Sequence, residues 1–220
     1  MVNISIREEI KSLCPKLRLG CIEAHVAVAE TGDELMQEIN HHIADIGSRL
    51  SVGQISSMPV IAASRQAYKA CGKDPARYRL SAEALLRRVV SGKGLYQISN
   101  VVDQLNLVSI TTGFSIGGYD AEQIQGDVTL GIGQANEPYQ GIGRGELNIE
   151  NLPVFRDENG AFGTPTSDSE RTGVTPQTSH FLMILLDFGS DPSLDHAMQL
   201  AENLLVRHCG AQSIEVKIFE

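Results

Sequence analysis

Residues 65–93 read R-Q-A-Y-K-A-C-G-K-D-P-A-R-Y-R-L-S-A-E-A-L-L-R-R-V-V-S-G-K. Ala82, Leu85, Leu86, Val89 and Val90 fall at i, i+3, i+4, i+7 and i+8, the spacing of one buried helical stripe. Ser81 stands where an N-cap belongs, and Glu83 lies in the first turn, where the helix dipole favours an acid. Gly92 supplies the stop. Arg87 and Arg88 fall off the stripe in the last turn, so a short anchored helix presents two arginines outward. Upstream, Gly72 and Asp74-Pro75 break the chain. They separate this helix from an earlier one that carries Arg65, Tyr68 and Lys69, opened by Pro59 and running to about Cys71.

The same stretch carries eight of the eighteen Lys and Arg residues but only two acids, Asp74 and Glu83, a local balance of +6 in a chain of net charge -9. A basic island in an acidic protein is either a docking surface for an anion, phosphate first, or a solvated face paired with the acidic remainder. An acidic pI near 5.1 argues against non-specific nucleic-acid binding while leaving room for a local contact with a folded RNA.

Working outward, Val2 to Ile6 fits a short strand, followed by the helical R-E-E-I-K-S-L. From Cys21 to Ala29, Ile22, Ala24, Val26 and Val28 alternate with the other positions, a strand with one apolar face and His25 on the other. Thr31-Gly-Asp-Glu34 reads as a capping box before a helix with Leu35, Ile39, Ile43, Ile46 and Leu50 on one side. A further helix keeps Val101, Val102, Leu105 and Val108 at helical spacing and ends at Gly113. From there to about Leu186 the texture changes to β-branched residues, glycines and prolines, with strands expected near 127–132, 152–156 and 180–186. Asp191-Pro192 is expected to cap an amphipathic helix with Leu194, Ala197, Met198, Ala201, Leu204 and Leu205 inward and Gly210 at its end. Ile214, Val216 and Ile218 close the chain as a strand. Helices at both ends of a β-rich middle predict an α+β fold.

Several chemistries lack their signature. Gly131-Ile-Gly133 and Gly141-Ile-Gly143-Arg-Gly145 do not sit in a βαβ unit, and G-K-[ST], G-x-S-x-G and H-E-x-x-H do not occur. Cysteines 14, 21, 71 and 209 show neither C-x-x-C nor zinc spacing, and His41-His42 have no i+4 partner, so no metal or cofactor is implied. Reduced core cysteines and the lack of a long apolar run or a leader predict a cytoplasmic protein with no membrane contact. What remains is a polar cluster, S-D-S-E-R-T at 167–172, and G-G-Y-D at 117–120. The paired glycines there read either as a close approach of backbone to a ligand or as a tight turn.

These residues carry a resemblance. Asn106-Leu-Val108, Gly113 and Tyr119-Asp120 are similar to an N-x-V…G…[FY]-D block. Asn159-Gly160 through Val174-Thr175 and Thr178 to Leu185 are similar to an acidic turn, small residues and V-T-x-x-T before a hydrophobic strand. Together they resemble the B3/B4 domain of the bacterial phenylalanyl-tRNA synthetase β subunit, in a free-standing version, over roughly residues 55–190. The resemblance implies a single B3/B4-type domain over 1–220, with a sandwich-like mixed sheet core flanked by helices. It also implies a proofreading pocket, which in the synthetase removes wrongly attached tyrosine from the tRNA for phenylalanine. The pocket threonine of that family falls on Leu105, its histidine on Gly117, and its glutamate nearest Glu146, so the scaffold matches while the polar lining differs.

The resulting expectation is a tRNA-related module that hydrolyses mischarged aminoacyl-tRNA in trans. The alternative is a non-catalytic module binding an amino-acid-like metabolite or a protein partner. Asp120 and Glu146 are the candidates to orient a water. Asn106, Gly117, Gly118, Arg171 and Thr172 are the candidates to hold the substrate, and Arg77, Arg79, Arg87 and Arg88 to hold phosphates.

Overall fold

A computed structural model of the chain describes residues 1–190 and 194–220. The first part holds β1 (Ile4–Ile6), α1 (Glu8–Leu13), β2 (Arg18–His25), α2 (Asp33–Arg49) and α3 (Val52–Ile55). Three helices follow: α4 (Pro59–Ala70), α5 (Ser81–Val90) and α6 (Asn100–Thr112). The β-rich part holds β3 (Ser115–Asp120), β4 (Val128–Ile132), β5 (Gln140–Gly141), β6 (Gly145–Glu146), β7 (Pro153–Asp157), β8 (Gly160–Gly163) and β9 (His180–Asp187). Helix α7 (Leu194–Cys209) and β10 (Gln212–Phe219) end the chain.

The strands form two four-stranded sheets, β1-β4-β7-β8 and β10-β2-β9-β3, plus the small hairpin β5-β6. The first sheet is mixed, because β1 pairs parallel to β4 while the other neighbours run antiparallel. The second is antiparallel throughout and lies between two cores. Leu19, Cys21, Leu182, Ile184 and Leu186 point to the first sheet, where they meet Leu130, Phe155 and Phe162. The alternate residues Ile22, Ala24, Phe181, Met183 and Leu185 point to the layer of helices. The layers are therefore sheet, sheet, helices, an α+β architecture with a sandwiched sheet core.

This layering corrects the one-faced reading of the second strand. β2 is buried on both sides because it is an inner strand of the middle layer, which one-residue alternation of apolar residues does not signal. G-G-Y-D, read as a turn or a ligand approach, is the end of strand β3, paired with β9 from Ser115 to Asp120. Helix α5 begins at Ser81 with Leu80 in the cap position and no side-chain cap. The Thr31 capping box does not form: Gly32 occupies the cap, and the Thr31 hydroxyl donates to Asp103 of α6. Gly113, at φ 84°, closes α6 in the left-handed conformation, as expected. The proposed Asp191-Pro192 cap lies outside the described residues. Among those described, no helix is long and apolar enough to cross a membrane.

Candidate functional site

Where α5, α6 and β3 meet the β5–β6 hairpin and the 166–168 loop, they enclose a cleft of about 530 Å³. Its inner wall is apolar: Leu85 of α5, Val102 and Leu105 of α6, and Ile116 and Gly118 of β3. Its outer edge carries Arg87, Arg88, Lys93 and Arg144, with Tyr96 and Ile142 exposed beside them. Among the described lining residues one is a carboxylate, Asp168.

The arginines of α5 are fixed differently. Glu83, whose side chain is 1% exposed, accepts from Arg65 at 2.8 Å on one oxygen and from Arg87 at 3.0–3.1 Å on the other. A buried acid in the first turn of α5 thus compensates part of the island's charge from within. Arg88 instead lies over the Tyr96 ring, 3.8 Å from its centroid, and donates to its hydroxyl at 3.1 Å. Tyr96 is 59% exposed. Among the described residues, Arg88, Lys93 and Arg144 form no ion pair.

Asp168 is positioned from behind. The Tyr119 hydroxyl donates to its Oδ1 at 2.8 Å, and the Gly118 backbone N–H donates to its Oδ2 at 3.2 Å. Tyr119 is fully buried, with its ring edge-on to Phe162 at 5.0 Å between centroids. Its hydroxyl occupies the space that side chains at Gly117 and Gly163 would fill, since a Cβ at either would stand 2.0 or 2.2 Å away. The loop bearing Asp168 is tied down by Tyr139, which donates to the Ser167 carbonyl at 2.6 Å, and by the Ile142 N–H donating to the Asp168 carbonyl at 2.9 Å. Burial pushes the Asp168 carboxyl up to about 7, against the lowering effect of the Tyr119 and Gly118 hydrogen bonds. Burial likewise holds the Tyr119 hydroxyl well above its usual range, and the Asp168 charge adds to that rise.

Of the residues singled out from sequence, the fold brings Asn106, Gly118, Arg87 and Arg88 into this cleft. The others lie elsewhere. Asp120 accepts from the Thr178 hydroxyl at 2.8 Å and from the Glu122 N–H at 3.0 Å, so it caps the turn after β3 and does not line the cleft. Glu146 is exposed on the hairpin strand β6. Gly117 seats Tyr119 and leaves no backbone open to the cleft. Arg171 forms a two-pronged pair with buried Asp157, at 2.8 and 3.0 Å, and Thr172 is fully buried. Burial alone would raise the Asp157 carboxyl, but the Arg171 hydrogen bond and charge outweigh it and hold it below the usual range. Arg77 and Arg79 are exposed on the turn before α5, outside the cleft lining. Sequence reasoning missed Lys93, Tyr96, Arg144 and Asp168. The last stands inside the flagged S-D-S-E-R-T cluster, where nothing local distinguishes it from its neighbours.

A larger hollow of about 820 Å³ lies between α1 and the end of β9; there Arg18 pairs with Asp187, and Lys11 donates to the Glu220 carbonyl. Among the described residues no group of His, Cys, Asp and Glu is arranged to hold a metal ion.

A sequence model of the B3/4 domain family matches residues 63–210, a span that contains every residue lining the cleft. The chain belongs to the B3/4 domain family. The fold of this B3/4 domain is similar to the crystal structure of an N-terminal fragment of the phenylalanyl-tRNA synthetase β-subunit from Pyrococcus horikoshii. The TM-score is 0.51 at 14% sequence identity, over 100% of this chain and 54% of that one. The chain therefore spans about half the length of that fragment. No curated protein matches it. β2, an inner strand of the middle sheet, lies before the matched span, so the chain completes this sheet with residues from outside that span.

Proposed function

We propose that the B3/4 domain receives the aminoacylated 3′ end of a tRNA in the cleft and hydrolyses the ester of a mischarged amino acid. The observation that supports this most is the polarity of the cleft. Cations on α5, on the loop after it and on the β5–β6 hairpin surround an apolar floor in a cleft of about 530 Å³. Phosphates would sit on Arg87, Arg88, Lys93 and Arg144, as a charged backbone requires, with the acyl group against Leu85, Leu105 and Ile116. The name of the structural neighbour, a tRNA synthetase subunit fragment, agrees with that reading. In the reaction, water attacks the ester carbonyl, the bond to the ribose oxygen breaks, and free amino acid and uncharged tRNA result. Such a step needs a positioned water and charge stabilisation more than a strong nucleophile.

The placement of Asp120 and Glu146 outside the cleft favours a second reading, a non-catalytic module that binds the same kind of ligand. Filter binding of bulk tRNA, combined with a deacylation screen of tRNAs charged with each amino acid, separates the two. Release from at least one charged tRNA is expected. Tyrosyl-tRNA should not be hydrolysed above the uncatalysed rate, because Leu105 and the Tyr119-filled site at Gly117 offer no donor to a phenolic hydroxyl. Binding without release leaves the binding module, and absence of binding rejects a tRNA ligand.

A further inference from the structure

We infer that Asp168 is the group in the cleft that receives a cationic end of the ligand, so that the ligand enters with a primary ammonium inward and its anionic part outward. The inference rests on the cleft being the ligand site. Four cations and one carboxylate, Asp168, are among the described lining residues; Lys93 and Arg144 are exposed, whereas Asp168 is half-buried. None of the four reaches that carboxylate to form an ion pair among the described residues.

The carboxylate accepts one hydrogen bond on each oxygen, from Tyr119 and from the Gly118 N–H. A carboxylate has about four acceptor sites, so two remain for a donor arriving from the cleft. The support behind it is rigid: a buried tyrosine seated in the space of two glycines, and a strand backbone. Such backing fixes an acceptor in place, and an ammonium arriving beside it favours the ionised form that burial alone disfavours. A phosphate or carboxylate placed there would meet like charge in a site of low polarity, whereas an ammonium would form a charge-assisted pair. The anionic part must then lie outward, where Arg88, Lys93 and Arg144 have no acidic partner. An α-amino acid joined to a phosphate-bearing nucleotide has these two ends, and a free amino acid has an ammonium beside a carboxylate.

The test uses the full chain and a non-hydrolysable probe, bulk tRNA ending in 3′-amino-3′-deoxyadenosine and charged with the twenty amino acids through an amide. The same preparation, N-acetylated, replaces the ammonium by a neutral amide and keeps the nucleotide part. Acetylation should weaken binding to the unaltered protein by at least about tenfold, the loss of one charge-assisted hydrogen bond. Asp168→Asn should bind both forms equally and at the weaker level. Equal binding of the two forms by the unaltered protein, or discrimination that survives in Asp168→Asn, overturns the inference. If Asp168→Asn does not fold, Tyr119→Phe keeps the carboxylate but removes one support. It should reduce the discrimination without abolishing it, and unchanged discrimination counts against the inference.

If no form of tRNA binds, the tRNA reading fails separately. Thermal shifts with free amino acids against their N-acetyl derivatives then decide the ammonium question. Stabilisation by the free forms alone, lost in Asp168→Asn, supports it. No stabilisation by either overturns it.

Discussion

At the scale of single residues, the site depends on a carboxyl group whose proton the fold holds more tightly than water does. Burial pushes the Asp168 carboxyl up to about 7 in the folded chain, from about 3.9 when unfolded. Between those values the native state binds the extra proton. The stability that Asp168 contributes is full below about pH 4 and is lost as pH rises through about 7. Asp168→Asn carries no such titration. Its stability relative to the unaltered protein should therefore improve by about 1–3 kcal/mol from pH 4.5 to 7.5 and then level off, read from urea midpoints at several pH values. A difference independent of pH would mean that the carboxyl is not desolvated. Arg171 acts at a distance from the cleft. Its removal as Arg171→Ala leaves the Asp157 carboxylate, whose side chain is 0% exposed, without its partner. The expected cost is about 2–3 kcal/mol in chemical denaturation, with tRNA affinity unchanged.

At the scale of elements, β3 does two jobs through adjacent glycines that face opposite ways. Gly117 points into the sheet sandwich, where an added Cβ would stand 2.0 Å from the Tyr119 hydroxyl. Gly118 points to α6, where the nearest atom would be the Leu105 Cδ1 at 2.6 Å, the far end of a flexible side chain. Gly117→Ala should destabilise the fold by about 1–3 kcal/mol by displacing Tyr119, and with it the support of Asp168. Gly118→Ala should cost less stability, because Leu105 can turn aside. It should cost more ligand affinity, since Leu105 would turn within the cleft lining. Thermal midpoints and binding measured on the two variants should move in opposite order; the same order for both would show that the strand does not divide its roles this way.

At the scale of the whole molecule, charge is segregated: the basic segment 65–93 borders the cleft in a chain of net charge -9. Part of that segment is occupied internally, because Glu83 holds Arg65 and Arg87. Arg87→Ala with Arg88→Ala should still flatten the log–log dependence of tRNA affinity on salt by about 2 × 0.7–0.9 if both meet phosphate, and should weaken all tRNAs alike. A slope reduced by about half that amount would mean that one of the two meets phosphate, and Arg88→Ala alone should then reproduce it, since Arg87 is held by Glu83.

The sequence by itself determined the helices of 59–112, the positions of β4, β7 and β9, the α+β class and the family resemblance. Each of these is written in local periodicity, stop signals or residue order. The Gly113 stop needed no tertiary information; of the stripe Ala82, Leu85, Leu86, Val89 and Val90, the structure buries Ala82, Leu86 and Val89 and leaves Leu85 and Val90 half-buried, Leu85 in the cleft lining. Only the tertiary structure decided that β2 lies within the middle layer, that Gly117 houses a tyrosine, and that Asp120 is spent on Thr178 and the Glu122 N–H while Asp168 faces the cleft. The physical reason is that these assignments depend on pairings between distant segments. Gly118 and Asp168 are fifty residues apart, and Tyr119 and Asp168 forty-nine. An acid's role is set by which donors surround it, and in this chain those donors arrive from other strands.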